Sequence, residues 1–250
     1  MTSNQTVGAL CTLAIFAPTS AFADGPLANG QWVAGALLGY SRDIYEGEGG
    51  KLSGAPYLSY STGRLSIGFE GITYRAYQSD DFKLALVLAP GASPDFPDDN
   101  LIFAGLDRGT AIDVGGTISY SFDRFYLSGA ALHDISSEHE GYQIETKIGA
   151  VVQTDPFTID AGIGARYRDA KLSNFLIGVA AVEANANRAA YDASSTIEPF
   201  LSVSITMPIS EKTSLTGGFE YSLLSQEIRD SPLVGRDSSY GIGLGVIHRF

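Results

Sequence analysis

Apolar and polar residues alternate along most of the chain. From Tyr240 to Phe250, every second residue is large and apolar, apart from His248, and three glycines occupy positions between them. A repeat of two residues indicates β-strands with one apolar face. The alternating stretches exceed the ~5–6 residues of an ordinary strand and reach the ~9–11 residues of a tilted membrane-spanning strand. We therefore expect an all-β fold, a single antiparallel transmembrane β-barrel.

The turns set the number of strands. Tight connections are expected at Thr62-Gly63, Phe122-Asp123, Asp155-Pro156 and 208–211, and tight turns belong on the periplasmic side of such a barrel. With all four turns placed there, ten strands are predicted, at 30–43, 54–62, 64–77, 110–122, 124–136, 141–153, 157–168, 195–207, 212–224 and 238–250. Two strand-like segments, 82–88 and 172–179, remain in long connections. They are either extracellular hairpins or two further strands, which would make a twelve-stranded barrel.

The Asp155-Pro156 turn predicts a register. A two-residue hairpin there pairs Glu145 with Arg166, and its neighbouring pairs are Gln143 with Arg168, Lys147 with Gly164 and Val151 with Asp160. Each of these pairs falls on the polar, lumen-facing side. A slip of one residue would turn the charges into lipid, so the pattern supports this register. At Phe122-Asp123, the same reasoning places Ile118 and Leu127 outside and Thr117 and Ser128 inside.

The amino-acid composition narrows the possible class of protein further. Apolar residues make up 44% of the chain and charged residues only 18%, with 13 Tyr and 13 Phe. The formal net charge of −12 excludes a nucleic-acid partner, because no basic patch is available to neutralise phosphates. Residues 1–23 read as a secretory signal, with an apolar run and an Ala21-Phe22-Ala23 cleavage pattern. We expect export, cleavage after Ala23 and residence in the outer membrane of a Gram-negative bacterium, with 24–250 forming the barrel.

Several short motifs resemble those of the MipA/OmpV family of outer-membrane proteins. They occur in the family's order and span nearly the whole chain after the signal. The segments are Tyr45-Glu46-Gly47-Glu48-Gly49, Pro56-Tyr57-Leu58-Ser59-Tyr60, Phe96 to Arg108, Ile177-Gly178-Val179 with Glu183-Ala184, and Arg229 to Val234. The last is similar to the family's Asp-Ser-Pro-Ile-Val signature. The terminal Phe250 also resembles the tag that the outer-membrane assembly machinery reads.

The resemblance implies a non-enzymatic scaffold or envelope-interaction role. Members of the family contact enzymes that synthesise or degrade murein, and others are linked to adhesion or to the passage of small solutes. Outer-membrane lipid and lipopolysaccharide would be the immediate surroundings. Acids in the predicted loops, Asp95, Asp98, Asp99 and Asp107, suggest divalent cations that bridge lipopolysaccharide.

Charged residues of both signs fall on the predicted lumen side of the strands. They are Glu70, Asp113, Glu145, Lys147, Asp160, Arg166, Arg168, Glu198 and Glu220. An internal salt-bridge network that fills the barrel explains them most simply. A narrow solute channel with a mixed-charge lumen is the alternative.

The densest cluster of reactive residue types is His133 to Glu140, which contains His133, Asp134, Ser136 and His139. A hydrolase acting on lipid or a metal site would use such residues. Adjacent residues on a flexible tip lack the fixed geometry that these sites need, so a polar extracellular hairpin is expected instead. No catalytic residue, cofactor or metal is predicted.

Overall fold

A computed structural model describes residues 30–96 and 100–250. Its strands form a closed antiparallel barrel in which neighbours in sequence are neighbours in space and β1 pairs with β12. The strands are β1 (Gln31–Arg42), β2 (Gly50–Ser61), β3 (Leu65–Gly68), β4 (Gly71–Gln78), β5 (Phe82–Pro90), β6 (Ile112–Phe122), β7 (Phe125–Asp134), β8 (Tyr142–Thr154), β9 (Phe157–Arg168), β10 (Thr196–Pro208), β11 (Thr213–Leu223) and β12 (Ser238–Arg249). The signal segment, with the expected cleavage site at Ala23, lies outside the described residues.

The predicted count of ten strands is wrong, and the alternative of twelve is confirmed. The segment expected to be one strand at 64–77 is a hairpin of the short β3 and β4, which turns at Phe69-Glu70. Gly71 permits this turn, because it adopts φ +115° and a Cβ there would lie 2.3 Å from the carbonyl oxygen of Leu88. Residues 82–90 then form β5, as the twelve-stranded alternative expected.

The second unassigned segment, 172–179, is not a strand. Residues Ala170–Ile177 form helix α1, and the side chain of Asp169 caps it by accepting from the backbone N–H of Leu172. A second short helix, α2 (Gln226–Arg229), lies before β12. Among the described residues, no helix has both the length and the apolar character to cross a bilayer.

The register around Asp155-Pro156 is confirmed: Glu145 pairs with Arg166, and the three flanking pairs also occur as expected. The neighbouring hairpin differs, because its two-residue turn is Asp123-Arg124 and Phe122 pairs with Phe125. The shift is two residues, which keeps every side chain on its predicted face. Ile118 and Leu127 are accordingly exposed on the outside.

The exterior of the barrel is apolar. Outward side chains of the strands are mostly Leu, Ile and Val, and aromatic pairs lie toward both ends, with Trp32 against Tyr60 at one end and Tyr40 against Tyr240 at the other. Aromatic residues concentrate at the two interfaces of a membrane. The band between these pairs is the part of the barrel in contact with lipid.

Candidate functional site

Charged side chains collect on one inner wall of the barrel, formed by β8 to β11. Arg166 of β9 is the centre of this wall: its Nε lies 2.9 Å from Glu145 Oε2 on β8, and its Nη2 lies 3.4 Å from Glu220 Oε1 on β11. The guanidinium also lies over the ring of Phe200, 5.1 Å from the ring centre. The Arg166 side chain is 11% exposed and that of Glu220 only 5%. One cation therefore balances two acids in a space that excludes most water.

Two further ion pairs flank this centre. Lys147 Nζ lies 3.1 Å from Asp160 Oδ1, which also accepts a 2.7 Å hydrogen bond from the hydroxyl of Tyr126. Toward the extracellular end, Arg168 pairs with Glu198 of β10. Seven of the nine charges predicted to line the lumen thus belong to three linked groups on this wall.

The other two predicted residues lie elsewhere. Glu70 is not in a strand but at the tip of the β3–β4 hairpin, where its Oε1 accepts from the Tyr57 hydroxyl at 3.1 Å. Asp113 lies near the extracellular end of β6, paired across the sheet with Asp134. Neither residue joins the network around Arg166.

The loops at the extracellular end pack together into a loop cap, formed by the described residues of 43–49, 91–111, 169–195 and 224–237. Its first core packs Tyr45, Phe103, Val179 and Leu233, each at most 3% exposed. Its second core packs Ile177, Ala193, Leu224 and Ile228. Burial of large apolar side chains stabilises by about 1.5–3 kcal/mol each, so these loops form a folded layer.

Polar contacts lock the loops of the cap together. Arg108 reaches Glu183 with two hydrogen bonds, of 2.6 and 2.9 Å. Arg188 is 4% exposed and donates to three backbone carbonyls, two of them in the 100–111 segment. The hydroxyl of Ser231 donates to the carbonyl of Ile177 at 2.6 Å. Of the loop acids expected to hold cations, Asp95 instead pairs with Lys51, and Asp98 and Asp99 lie outside the described residues.

The pKa values of the acids in the loop cap are shifted in opposite directions by their surroundings. Burial, reinforced by the nearby Asp43, raises the pKa of Glu48 to about 7. Burial also raises the pKa of Asp43. The hydrogen bonds from Arg108 lower the pKa of Glu183. Glu48 therefore takes up a proton as the pH falls through about 7, whereas the Arg108–Glu183 contact stays ionised.

The histidine-rich segment is more ordered than a flexible tip. The Asp134 carboxylate accepts from the backbone N–H groups of Ser136, His139 and Glu140, and the imidazole of His139 is buried against Phe175. The His139 Nε2 faces Asp113 Oδ1 at 3.9 Å. Sequence reasoning missed this cluster, because burial of His139 depends on α1 and β6, which are distant in the chain.

Asp113, Asp134 and His139 offer ligand atoms within 4.8 Å of one another, which is the spacing of a metal site. The hydrogen bonding argues for a structural role instead. The N–H of Gly141 donates to His139 Nδ1 at 2.9 Å, so the neutral ring carries its proton on Nε2. A metal bound at Nε2 would require the opposite tautomer, with the proton on Nδ1. In that tautomer Nδ1 is a donor and cannot accept the hydrogen bond from the Gly141 N–H. The cluster fits a clasp that holds the β7–β8 loop to β6.

A hydrolase site receives no support from the same segment. The hydroxyl of Ser136 donates to Asp134, not to a histidine, and His133 points to the exposed face of β7. Nucleophile and base must lie within hydrogen-bond reach of each other.

Comparison with known proteins assigns the family. The family model for the MltA-interacting protein MipA matches residues 34–250, nearly the whole described barrel. The chain belongs to the MipA family. Four segments that resemble the family in sequence contribute Tyr45, Phe103, Val179 and Leu233 to the first core of the loop cap.

Relatives that are named as outer membrane proteins match most of the chain. The putative outer membrane protein YiaT of Escherichia coli K12 is 25% identical over 220 residues, 86% of this chain and 89% of that protein. Omp26La of Vibrio anguillarum is 26% identical over 226 residues, 89% of this chain and 88% of its own. The chain is thus an outer-membrane protein. Among solved structures, the chain matches an outer membrane channel of Pseudomonas putida F1 with a TM-score of 0.49 and 10% identity, over 94% of this chain and 99% of that one.

Proposed function

We propose that this protein is a non-enzymatic scaffold of the outer membrane that does not conduct solutes in its resting state. Two features support a closed barrel. The extracellular loops pack together into the loop cap, and the charges of the β8–β11 wall neutralise one another within the lumen. The low exposure of the lumen acids is the main support for a closed lumen. Glu198 and Glu220 are each 4% exposed, whereas charges that line an aqueous pore stay hydrated.

The partner that we propose is a murein-processing enzyme on the periplasmic side. The family takes its name from MipA, which is described as an MltA-interacting protein. We extend an interaction of this kind to the present chain as part of the proposal. The periplasmic ends of the strands are joined by short turns, such as Asp123-Arg124 and Asp155-Pro156, which leave a compact rim facing the murein layer.

Two measurements test the proposal. In planar bilayers the purified barrel should be silent, and a steady conductance would instead identify a narrow solute channel. Cross-linking of intact envelopes, followed by capture of the protein, should recover murein enzymes. A capture that contains only assembly factors and lipopolysaccharide would contradict the scaffold role, whatever the conductance.

A further inference from the structure

The loop cap carries a small hairpin, residues 179–191. Two backbone hydrogen bonds between Val179 and Tyr191, of 2.8 and 2.9 Å, close its base, and a bridge between Asn185 and Arg188 closes its tip. The buried side chain of Arg188 donates to the Glu183 carbonyl within the hairpin and to two carbonyls of the 100–111 segment. Three hydrogen bonds from one guanidinium therefore fix this segment, which we call the cap hairpin.

The exposed side of the cap hairpin is apolar. Val182 is 95% exposed. Single apolar residues are ordinary on a protein surface, whereas a contiguous apolar patch marks an interaction site. Seven of the thirteen residues of the cap hairpin are both apolar and exposed, namely Ala180, Ala181, Val182, Ala184, Ala186, Ala189 and Ala190.

A neighbouring loop adds a large apolar side chain to this surface. Leu101 is 69% exposed. Arg188 donates to the carbonyls of Ile102 and Glu183, the residues that directly follow Leu101 and Val182 in the chain. One guanidinium thus ties together the two segments that carry these exposed side chains. We call Leu101 and the exposed apolar residues of the cap hairpin the cap patch. Because the cap patch is held in place before any partner arrives, binding to it costs little ordering of loops.

The charge around the cap patch is strongly acidic. The extracellular loops 43–49, 91–111, 135–141, 169–195 and 224–237 contain fifteen acidic and five basic residues. The periplasmic turns 62–64, 79–81, 123–124, 155–156 and 209–212 contain five acidic and three basic residues. Two exposed acids, Asp107 and Asp192, directly follow the segments that form the cap patch. Partners that dock against such a surface carry the opposite charge.

Position and charge together select one kind of partner. The cap patch faces the outside of the cell, where the proposed murein-processing partner does not reach. A second copy of the chain would set one acidic surface against another, and the phosphates of lipopolysaccharide are anionic as well. Like charges brought together across an interface are unfavourable. A basic polypeptide with apolar side chains matches both the charge and the polarity of this surface.

We propose that the cap patch binds a basic, amphipathic polypeptide that approaches from outside the cell. Its apolar side chains pack on Leu101 and Val182, and its lysines or arginines lie against Asp107 and Asp192. The site is independent of the scaffold role, because the two partners bind opposite ends of the barrel.

The first test measures binding of a fluorescent helical peptide of leucine and lysine to the full chain in phosphatidylcholine nanodiscs, with empty nanodiscs as the background. Leu101→Ser and Val182→Ser should each raise Kd about tenfold, the effect of losing one large apolar side chain from an interface. Ile209→Ser, at a residue that is 58% exposed in the periplasmic β10–β11 turn, should bind like the parent. Binding no stronger than to empty nanodiscs, or an unchanged Kd in both cap-patch variants, would overturn the proposal.

The second test concerns charge. Asp107→Asn combined with Asp192→Asn should raise Kd severalfold at low salt, and the difference should shrink at about 1 M salt, where screening shortens the reach of exposed charges to ~3 Å. Asp80→Asn combined with Asp81→Asn, at exposed acids of the periplasmic β4–β5 turn, should leave Kd unchanged. A peptide with glutamate in place of lysine should not bind. Equal binding of the two peptides would contradict selection by charge and overturn the proposal.

A third measurement identifies the occupant directly. Replacement of Val182 with the photoreactive p-benzoylphenylalanine should leave the unheated gel mobility of the barrel unchanged, because this side chain is exposed. In phosphatidylcholine vesicles, light should cross-link this variant to the leucine–lysine peptide. Cross-links that form mainly between two copies of the chain, or mainly to lipid, would assign the cap patch to a different occupant and overturn the proposal.

Discussion

Replacing Arg166 with alanine removes a cation that is hydrogen-bonded to both Glu145 and Glu220. Glu220 would be left as a charge in a site where its side chain is 5% exposed, while Glu145, at 25%, retains some water. Removal of one partner from a buried ion pair costs about 3–5 kcal/mol, mostly because the remaining charge stays uncompensated. We expect the free energy of unfolding to fall by that amount in Arg166→Ala.

Urea unfolding in liposomes measures this loss, with the single tryptophan, Trp32, as the fluorescent reporter. Lys171→Ala is the matched control, because the exposed pair Lys171–Glu140 is worth ~0–1 kcal/mol. Adding Glu220→Gln to Arg166→Ala should recover part of the loss, since no charge is then left unpaired. A loss below about 1 kcal/mol in Arg166→Ala would mean that water screens the network. That result would refute the closed lumen and favour a channel.

A substitution in the same β8–β9 hairpin tests which face of β9 points into the lumen and which points toward lipid. Ala165 lies on the opposite face of β9 from Arg166, so Ala165→Arg turns a charge toward lipid. The cost of arginine at a lipid-facing midplane position is ~2–4 kcal/mol, and less near an interface. Folding yields in liposomes should fall for Ala165→Arg, and a yield equal to that of the parent would mean that the two faces are exchanged.

Three further predictions concern the loops and the short hairpin. Because burial raises the pKa of Glu48 to about 7 in the folded cap, the cap should gain stability as the pH falls from 8 toward 5. Glu48→Gln should lose this pH dependence. Protection factors from hydrogen exchange, corrected for intrinsic rates, measure the stability of the cap in the parent and in the variant. Arg188→Ala leaves three carbonyls without their donor and should speed proteolysis at 180–190 about tenfold while the barrel keeps its unheated gel mobility. Gly71→Ala should cost more than ~1 kcal/mol in urea unfolding, whereas Gly49→Ala, where a Cβ meets nothing within 4 Å, should cost little.

Strand positions could be predicted well wherever alternation and a tight turn coincide. β9 begins and ends as expected at Phe157 and Arg168, and Glu145 faces Arg166, because a one-residue slip would bury charges in lipid. The β3–β4 hairpin escaped prediction for a physical reason. The two-residue turn shifts the alternation by one position, since Ile67 and Phe69 face outward before it and Ile72 and Tyr74 after it. Two adjacent lumen-facing residues, Glu70 and Gly71, are the whole signal of this shift, and without it the run from 64 to 77 looks like one strand.

The loops were harder to predict, because their structure depends on contacts across the mouth. The apolar residues of 172–179 satisfy a strand pattern as well as a helix, and only Asp169 as a capping residue favours the helix locally. Burial of His139 depends in the same way on Phe175 and Asp113. Motifs that resembled a family could be read from the sequence, but their convergence on Tyr45 and Leu233 could not.

The first core of the cap sets an order of assembly. Tyr45 follows the first strand and Leu233 precedes the last, so the two meet only when β1 and β12 have been joined. Pairing β1 with β12 closes a loop of almost the whole described chain, which has a high entropic cost, so we expect these two strands to pair last. The first core of the cap therefore cannot form while the seam is open, and a chain halted during insertion presents uncovered loops to the outside. Protease resistance of the loops reports directly that the cylinder has been sealed.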